Sequence, residues 1–420
     1  FNFLQAQVTG VVKDAAGEPI PGANVFWMNT TNGVTTNEDG NFSIHKPARS
    51  HMLVVSFIGF ENDTIHVDKG NQQLDIVLRE GVELSEVNVV TRKLGTMKLR
   101  TSVMNEDMIS SAELTRAACC NLGESFVTNP SVDVSYSDAA TGAKQIKLLG
   151  LSGTYVQMMT ENIPNFRGAA APYGLGYVPG PWMQSIQVSK GSSSVKNGYE
   201  SITGQINVEF KKPQLPEADW VSANLFASST NRYEANADAT VKLSKRWSTS
   251  LLAHYENETK SHDSNDDGFV DIPRVEQYNV WNRWAYMGDH YVFQAGIKAL
   301  HETRNSGQIA HGNTPSHDLY EIGIKTNRYE AFTKNAYIFD KEKNTNLALI
   351  LQGTLHNQDA NYGRKLYDVD QSNFYASLLF ETELSKQHSL SAGLSFNYDG
   401  YDQNYRLTNQ AEEGLTKKFV

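Results

Sequence analysis

The chain has 420 residues, with 37 basic and 47 acidic side chains and a formal net charge of −10. That length holds about two to four domains, and the acidic balance excludes a nucleic-acid-binding surface, which needs a basic excess to meet phosphates. No run approaches the roughly 20 apolar residues of a membrane helix. A membrane β-barrel stays open, because its strands alternate apolar and polar residues and vanish in hydropathy averages.

Residues 1–6, Phe1-Asn-Phe-Leu-Gln-Ala6, have the form of the tail of a cleaved export signal, with Phe3 and Leu4 ending the apolar part and Ala6 before the cleavage point. Residues 7–80 carry short β-rich runs separated by Gly, Pro and Asp clusters, the pattern of hairpins in a small sandwich. The words are Gly17-Glu-Pro-Ile-Pro-Gly-Ala-Asn-Val25, Thr36-Asn-Glu-Asp-Gly-Asn-Phe42 and Ser56-Phe-Ile-Gly-Phe60. They resemble the carboxypeptidase regulatory-like domain, a transthyretin-like β-sandwich without catalytic activity. His45, His51 and His66 do not stand at zinc-ligand spacing and read as surface residues.

Residues 81–95 form a connector. Its stretch Leu84, Ser85, Glu86, Val87, Asn88, Val89 and Val90 is extended by preference and β-branched. Such a free segment suits pairing with the edge of a partner sheet; a plain linker strand is the alternative.

Residues 96–213 read as mixed α and β. Ser110-Ser-Ala-Glu113 has capping-box form and predicts a short helix through Ala117. A second helix is expected over Leu122–Val127, stopped by Asn129-Pro130. Strands are expected at 145–149, 155–159, 185–189 and 202–210. The adjacent Cys119 and Cys120 rarely bridge; they read as small buried residues or, together with Met158 and Met159, as contacts for a soft metal. The two methionines fall on one strand and so face opposite ways, which favours core packing.

The order of words in this segment resembles the plug domain of TonB-dependent receptors. A short helix ends near Pro130, followed by Ser-Val-Asp-Val134. Ile146-Lys-Leu-Leu-Gly-Leu151 stands where the family has an Arg-Gly pair, so Leu149 replaces the Arg before Gly150. The Asp-Gly-x-Pro turn appears as Glu161-Asn-Ile-Pro164. A strand then leads to Gly191, and the closing words are Asn197-Gly-Tyr199, containing Gly198, and Gly204-Gln-Ile-Asn-Val208. A phosphate loop at 190–196 is rejected, because its second Gly-Lys is absent.

Residues 214–420 alternate with period two. In Arg232–Leu243, Tyr233, Ala235, Ala237, Ala239, Val241 and Leu243 form one face and Glu234, Asn236, Asp238, Thr240 and Lys242 the other. The pattern recurs in 247–258, 291–300, 346–356, 374–384 and 390–398. Strands of about ten residues, apolar outward and polar inward, with short turns alternating with long loops at 259–277 and 303–317, fit a transmembrane barrel. About ten strands are read against the 22 of receptors of this kind, so the sequence is expected to be a fragment, a little over half of its parent.

The expected fold is therefore mainly β: a transthyretin-like sandwich, an α+β plug and part of a transmembrane antiparallel barrel. The resemblance implies an outer-membrane receptor, not an enzyme. It binds a small nutrient, is energised through residues 84–90 by the TonB complex, contacts outer-membrane lipids and is open to a surface lipoprotein partner. Metal or metal-chelate cargo is favoured over glycan or peptide. Tyr173, Tyr177 and Trp182 are the residues expected to stack on cargo. Asp263, Asn265, Asp267, Phe269 and Asp271, around the turn at Gly268, have the spacing of the first part of a calcium loop, although Arg274 stands where an EF-hand has its bidentate Glu. The alternative is a solvated acidic loop. No organic cofactor is expected. A calcium-dependent adhesin and a secreted enzyme with a regulatory sandwich are the readings from other classes; no Ser-His-Asp or paired-carboxylate arrangement supports the latter.

Overall fold

The computed structural model describes the chain apart from residues 1–6, 15–16, 29, 31, 48–50, 58–59, 61–62, 68–72, 79–96, 99–104, 117–119, 128, 152, 192–199, 215–219, 310–318, 386–387, 410–411 and 420. The chain divides into two compact units, one holding the N-terminal sandwich and the other the plug with most of the barrel wall.

The sandwich is built from β1 (Gln7–Lys13), β2 (Asn24–Trp27), β3 (Gly33–Thr35), β4 (Asn41–His45), β5 (Met52–Ser56), β6 (Asp63–His66) and β7 (Gln73–Val77). One sheet has the order β4-β1-β7, the other β3-β2-β5-β6. Alternation sends Val8, Val12, Val25, Trp27, Phe42 and Ile44 into the core, because side chains two apart share a face. Trp27 is fully buried and its indole N–H donates to the His45 carbonyl at 2.9 Å, so its one polar atom is satisfied.

The plug holds β8 (Met97–Lys98), β9 (Asn105–Ser110), α1 (Ser111–Arg116), β10 (Val132–Asp138), β11 (Ala143–Leu148), β12 (Val156–Thr160), β13 (Ile163–Pro164), β14 (Met183–Lys190) and β15 (Gly204–Phe210). Its mixed sheet has the order β13-β12-β15-β14-β9-β8, and β10 and β11 form a separate hairpin. The central strand β15 is buried along its whole length. Its polar residues are therefore paired: Asn207 donates to Gln187 and Glu209, and Glu209 meets Lys212 at 2.9 Å. Gly204 opens this strand because a Cβ there would strike the Leu148 side chain and the Ser189 carbonyl. The expected helix after Ser110 is present, but the capping box is not: the Ser110 hydroxyl is buried without a partner, and Glu113 pairs with Arg116 at 2.7 Å instead. The second expected helix is a 3-10 turn, Leu122–Phe126, with the Asn121 side chain accepting from the Glu124 N–H.

Ten strands make the barrel wall: β16 (Val221–Ala227), β17 (Arg232–Lys242), β18 (Trp247–Glu258), β19 (Arg274–Met287), β20 (Tyr291–Gly307), β21 (Glu321–Asp340), β22 (Thr345–Tyr362), β23 (Lys365–Ser385), β24 (His388–Asn409) and β25 (Glu412–Phe419). Each bonds to its neighbours in sequence. On β17, Glu234, Asn236 and Asp238 are buried while Tyr233 and Val241 are exposed. The same alternation places Gln277, Asn279 and Arg283 inward and Tyr278, Val280 and Trp284 outward. The outward apolar face and inward polar face are what a strand between lipid and a filled lumen requires. Several strands run well past the ten-residue segments that alternate cleanly; β24 has 22 residues.

Candidate functional site

Among the described residues the barrel wall shares no strand with the plug; the two meet through an apolar seam, with Trp281 and Leu252 of the wall in the plug core, and through charged and polar side chains. Glu161 and Asn162 both take left-handed backbone angles, φ 51° and 62°, and turn β12 into β13. This turn carries the Glu161 carboxylate into the wall. There it meets Arg283 at 2.5 Å and Lys334 at 3.6 Å, all with little exposure. Burial alone would raise the Glu161 pKa; Arg283 first, then Lys334 and Lys212, hold it down at about 2. Arg283 also donates to the Lys211 carbonyl at 2.7 Å. A few residues further on, Asn165 accepts from Arg328 at 2.6 Å and donates to Glu330 at 3.0 Å.

A cavity of about 320 Å³ lies between plug and wall at the end of the sheet where the long connections 259–273 and 308–320 leave it. The plug contributes Glu124 from the 3-10 turn, Tyr136 from β10, Lys144 from β11 and Tyr173. The wall contributes Arg232, Glu256, Glu258, Glu302 and Arg304. Alternation explains the selection: Glu256 and Glu258, and Glu302 and Arg304, are two apart on their strands and face inward together.

Most of these charges are paired. Arg232 reaches Glu124 at 3.0 Å, Glu234 at 2.7 Å and Glu256 at 2.9 Å. Arg304 reaches Glu302 at 3.1 Å, donates to the Thr141 carbonyl at 3.2 Å and lies over the Tyr173 ring at 4.8 Å. The Lys144 ammonium lies over the Tyr136 ring at 5.6 Å. Burial lowers its pKa, with Glu124 opposing and Arg232 assisting that shift.

The aromatics expected to stack on cargo are placed differently from expectation. Tyr177 and Trp182 are fully buried. Trp182 packs near Trp281 at 6.3 Å and His254 at 6.5 Å; Tyr177 lies 6.3 Å from the His356 ring. They fill the seam between plug and wall. Of the three, Tyr173 alone edges the cavity, with 5% exposure. The Gly-rich stretch folds into short 3-10 turns at Gly174–Tyr177 and Gly180–Trp182, which tuck the rings inward; sequence spacing does not show which way such turns face.

The methionines face different ways as expected: Met159 is fully buried and Met158 packs at the edge of the core. The buried Cys120 lies beside Glu234, and burial first, then that carboxylate, push its thiol pKa up. A protonated thiol is a poor metal ligand. Cys119 and the segment Leu84–Val90 lie outside the described residues, as does Gly198. Gly150 is an exposed turn glycine following Leu149, whose side chain is 61% exposed, and a leucine there makes no ion pair. The anchoring polar groups lie at Glu161, Asn165 and Glu124 instead. Pro164 is buried in β13, and Gly191 follows the end of β14.

In the 263–271 loop the carboxylates accept backbone N–H groups. Asp263 receives those of Asp267 and Gly268 at 3.2 and 2.9 Å, Asp267 that of Phe269 at 2.8 Å, and Asp271 that of Ser264 at 2.7 Å. Asn265 donates to Asp267 at 3.0 Å. Among the described residues no three His, Cys, Asp or Glu side chains converge as a metal centre.

Two family models match the chain. Residues 8–90 match the CarboxypepD_reg-like domain and residues 98–205 the TonB-dependent Receptor Plug Domain. Among curated relatives, the TonB-dependent receptor SusC of Bacteroides thetaiotaomicron is 27% identical over 245 residues, 55% of this chain and 24% of its own length. The two domain matches and this relative support a TonB-dependent receptor of the Bacteroidetes type. A further receptor of the family, from Formosa agariphila, is 25% identical over 248 residues, 54% of this chain and 23% of its own length. The matches thus span about a quarter of these relatives. The ferripyoverdine receptor of the outer membrane of Pseudomonas aeruginosa superposes with TM-score 0.61 at 13% identity, covering 83% of this chain and 50% of that one. The copper transporter OprC superposes with TM-score 0.60 at 12% identity, covering 74% and 48%. At these identities the likeness is one of fold: a plug inside a β-barrel wall. The relatives are receptors and transporters, not enzymes.

Proposed function

We propose that this chain forms the plug and part of the wall of an outer-membrane importer. A small polar nutrient enters from the long-loop side and seats in the cavity between plug and wall. The TonB complex captures Leu84–Val90 by strand addition and pulls, and the plug shifts so that cargo passes to the periplasm. The observation that carries this reading is the plug's mode of attachment: no strand of the plug sheet bonds to the wall among the described residues, and side chains hold it there, in polar and charged clusters at Glu161, Asn165 and Glu124 and in an apolar seam where Phe210 and Trp182 meet Trp281. Such contacts fix a plug in place and still exchange for water when force is applied.

The sequence favours a metal or metal chelate as cargo. Charges line the cavity, and burial and Glu234 keep its Cys120 thiol protonated, so a metal would be read through its organic chelator. A second reading, an organic cargo such as a peptide, is favoured by Lys144 and Glu258, two cavity charges of opposite sign with no ionic partner among the described residues. We also propose that the 263–271 loop takes calcium and stiffens an extracellular loop.

The test compares cells carrying the whole receptor, cells lacking it, and cells with Leu84–Val90 deleted, under nutrient limitation. Cell-associated iron, copper and cobalt are measured by elemental mass spectrometry, and uptake of labelled peptides alongside. A fall in any one of these in both mutant strains supports energised import. Equal values in all three strains would overturn it.

A further inference from the structure

The charges lining the 320 Å³ cavity can be matched off one by one. Arg232 is held by Glu124, Glu234 and Glu256, and Arg304 by Glu302. Two charges remain without an ionic partner among the described residues. The Lys144 ammonium lies over the face of Tyr136 and feels Glu124 without forming an ion pair with it, and the Glu258 carboxylate, near Arg232 and Arg304, makes no ion pair with either among the described residues. One stands on the plug and the other on the barrel wall, and both line the same space. Both are half-buried. Charges withdrawn from water are costly to leave unpaired, so each gains from a ligand group of opposite sign.

We infer that the cavity recognises a peptide-like zwitterion, with the ligand amine at Glu258 and its carboxylate at Lys144. The inference rests on the import reading above and names its cargo class. Size agrees with it. A cavity of about 150 Å³ takes one benzene, so this one takes about a dozen heavy atoms, the scale of a dipeptide or one end of a longer peptide. The charge balance agrees as well: three carboxylates surround one guanidinium at Arg232, which leaves a local negative excess that favours a ligand with an amine over a simple anion. A neutral glycan would leave both lone charges unmatched. Because Lys144 belongs to the plug and Glu258 to the wall, a zwitterion bridging them couples the two bodies while it is bound.

The test uses the whole receptor purified in detergent and incubated with a chymotryptic digest of casein. Retained peptides are quantified by mass spectrometry after gel filtration. The digest is offered intact, with amines acetylated, and with carboxylates methyl-esterified. Intact peptides should be retained at least about tenfold more than either capped form, the factor that about 1.4 kcal/mol of lost binding gives. Lys144→Gln should reduce retention of intact and acetylated peptides without affecting esterified ones. Glu258→Gln should reduce retention of intact and esterified peptides without affecting acetylated ones. This crossed pattern separates recognition from a general loss of structure, and unchanged thermal unfolding of both variants checks the fold. No retention of intact peptides, or equal retention of all three forms, overturns the zwitterion reading. That outcome leaves the import reading standing if deletion of Leu84–Val90 still lowers uptake of a metal; the import reading fails separately, when that deletion changes no uptake.

Discussion

Replacing Arg283 with Ala removes the main partner of a buried carboxylate and should loosen the plug turn at Glu161. Two routes give the size of the effect. Breaking a buried ion pair by removing one partner costs about 3–5 kcal/mol, because a charge is left stranded. Independently, holding Glu161 at about 2 instead of 4.5 corresponds to about 3 kcal/mol of preference for the ionised form. Lys334 stays 3.6 Å from the same carboxylate, so the lower value is expected. The assay is hydrogen exchange of the turn in the whole receptor, where the Glu161 N–H bonds to the Val208 carbonyl at 2.9 Å. A loss of about 3 kcal/mol speeds exchange through local opening roughly 150-fold. Glu161→Gln, and the double variant, complete a cycle whose coupling should exceed about 1 kcal/mol. Acceleration of less than about threefold in Arg283→Ala, or additive single effects, would refute the argument that this pair fastens the plug.

The same carboxylate predicts a pH dependence. Its folded pKa is depressed, so its stabilisation is complete above about pH 4.5 and is lost as pH falls toward 2; protection of the turn that stays flat across that window in wild type, or a pH dependence that persists in Glu161→Gln, contradicts the assignment. Asn162→Gly should be neutral or slightly stabilising, since φ 62° suits glycine, whereas Asn162→Val should cost about 1–2 kcal/mol, read as plug stability to urea. Gly204→Ala drives a methyl into Leu148 and the Ser189 carbonyl and should cost about 1–3 kcal/mol; an unchanged pattern of limited proteolysis in the plug would show that the strand has room to shift. If the 263–271 loop holds calcium, chelation with EGTA speeds its cleavage several-fold and added calcium reverses it; identical cleavage with and without EGTA removes calcium from this loop.

Periodicity makes much of the fold legible. Arg232–Leu243 shows its polar and apolar faces in the bare order of its residues, because a strand between lipid and lumen cannot hide its alternation. β19 and β21 are harder to see, since Arg274–Met287 mixes aromatics with charges and Glu321–Asp340 is partly polar on both faces. The capping box at Ser110 misleads for a different reason: Arg116, one helical turn from Glu113, competes for its carboxylate at 2.7 Å. Tyr177 and Trp182 mislead because a Gly-rich stretch gives no period from which to read direction.

The class and order of the parts are therefore written along the chain: short turn-punctuated strands for the sandwich, ordered plug words, and a two-residue period for the barrel wall. These are local properties, governed by propensity and by the choice between lipid and lumen at each position. The cavity is not written there and exists only once the chain is folded. Glu124 and Lys144 come from the plug, and Arg232, Glu258 and Arg304 from three different wall strands. Which charges neutralise one another and which stand alone depends on distances of a few ångströms between segments over a hundred residues apart in sequence, and no local pattern encodes those.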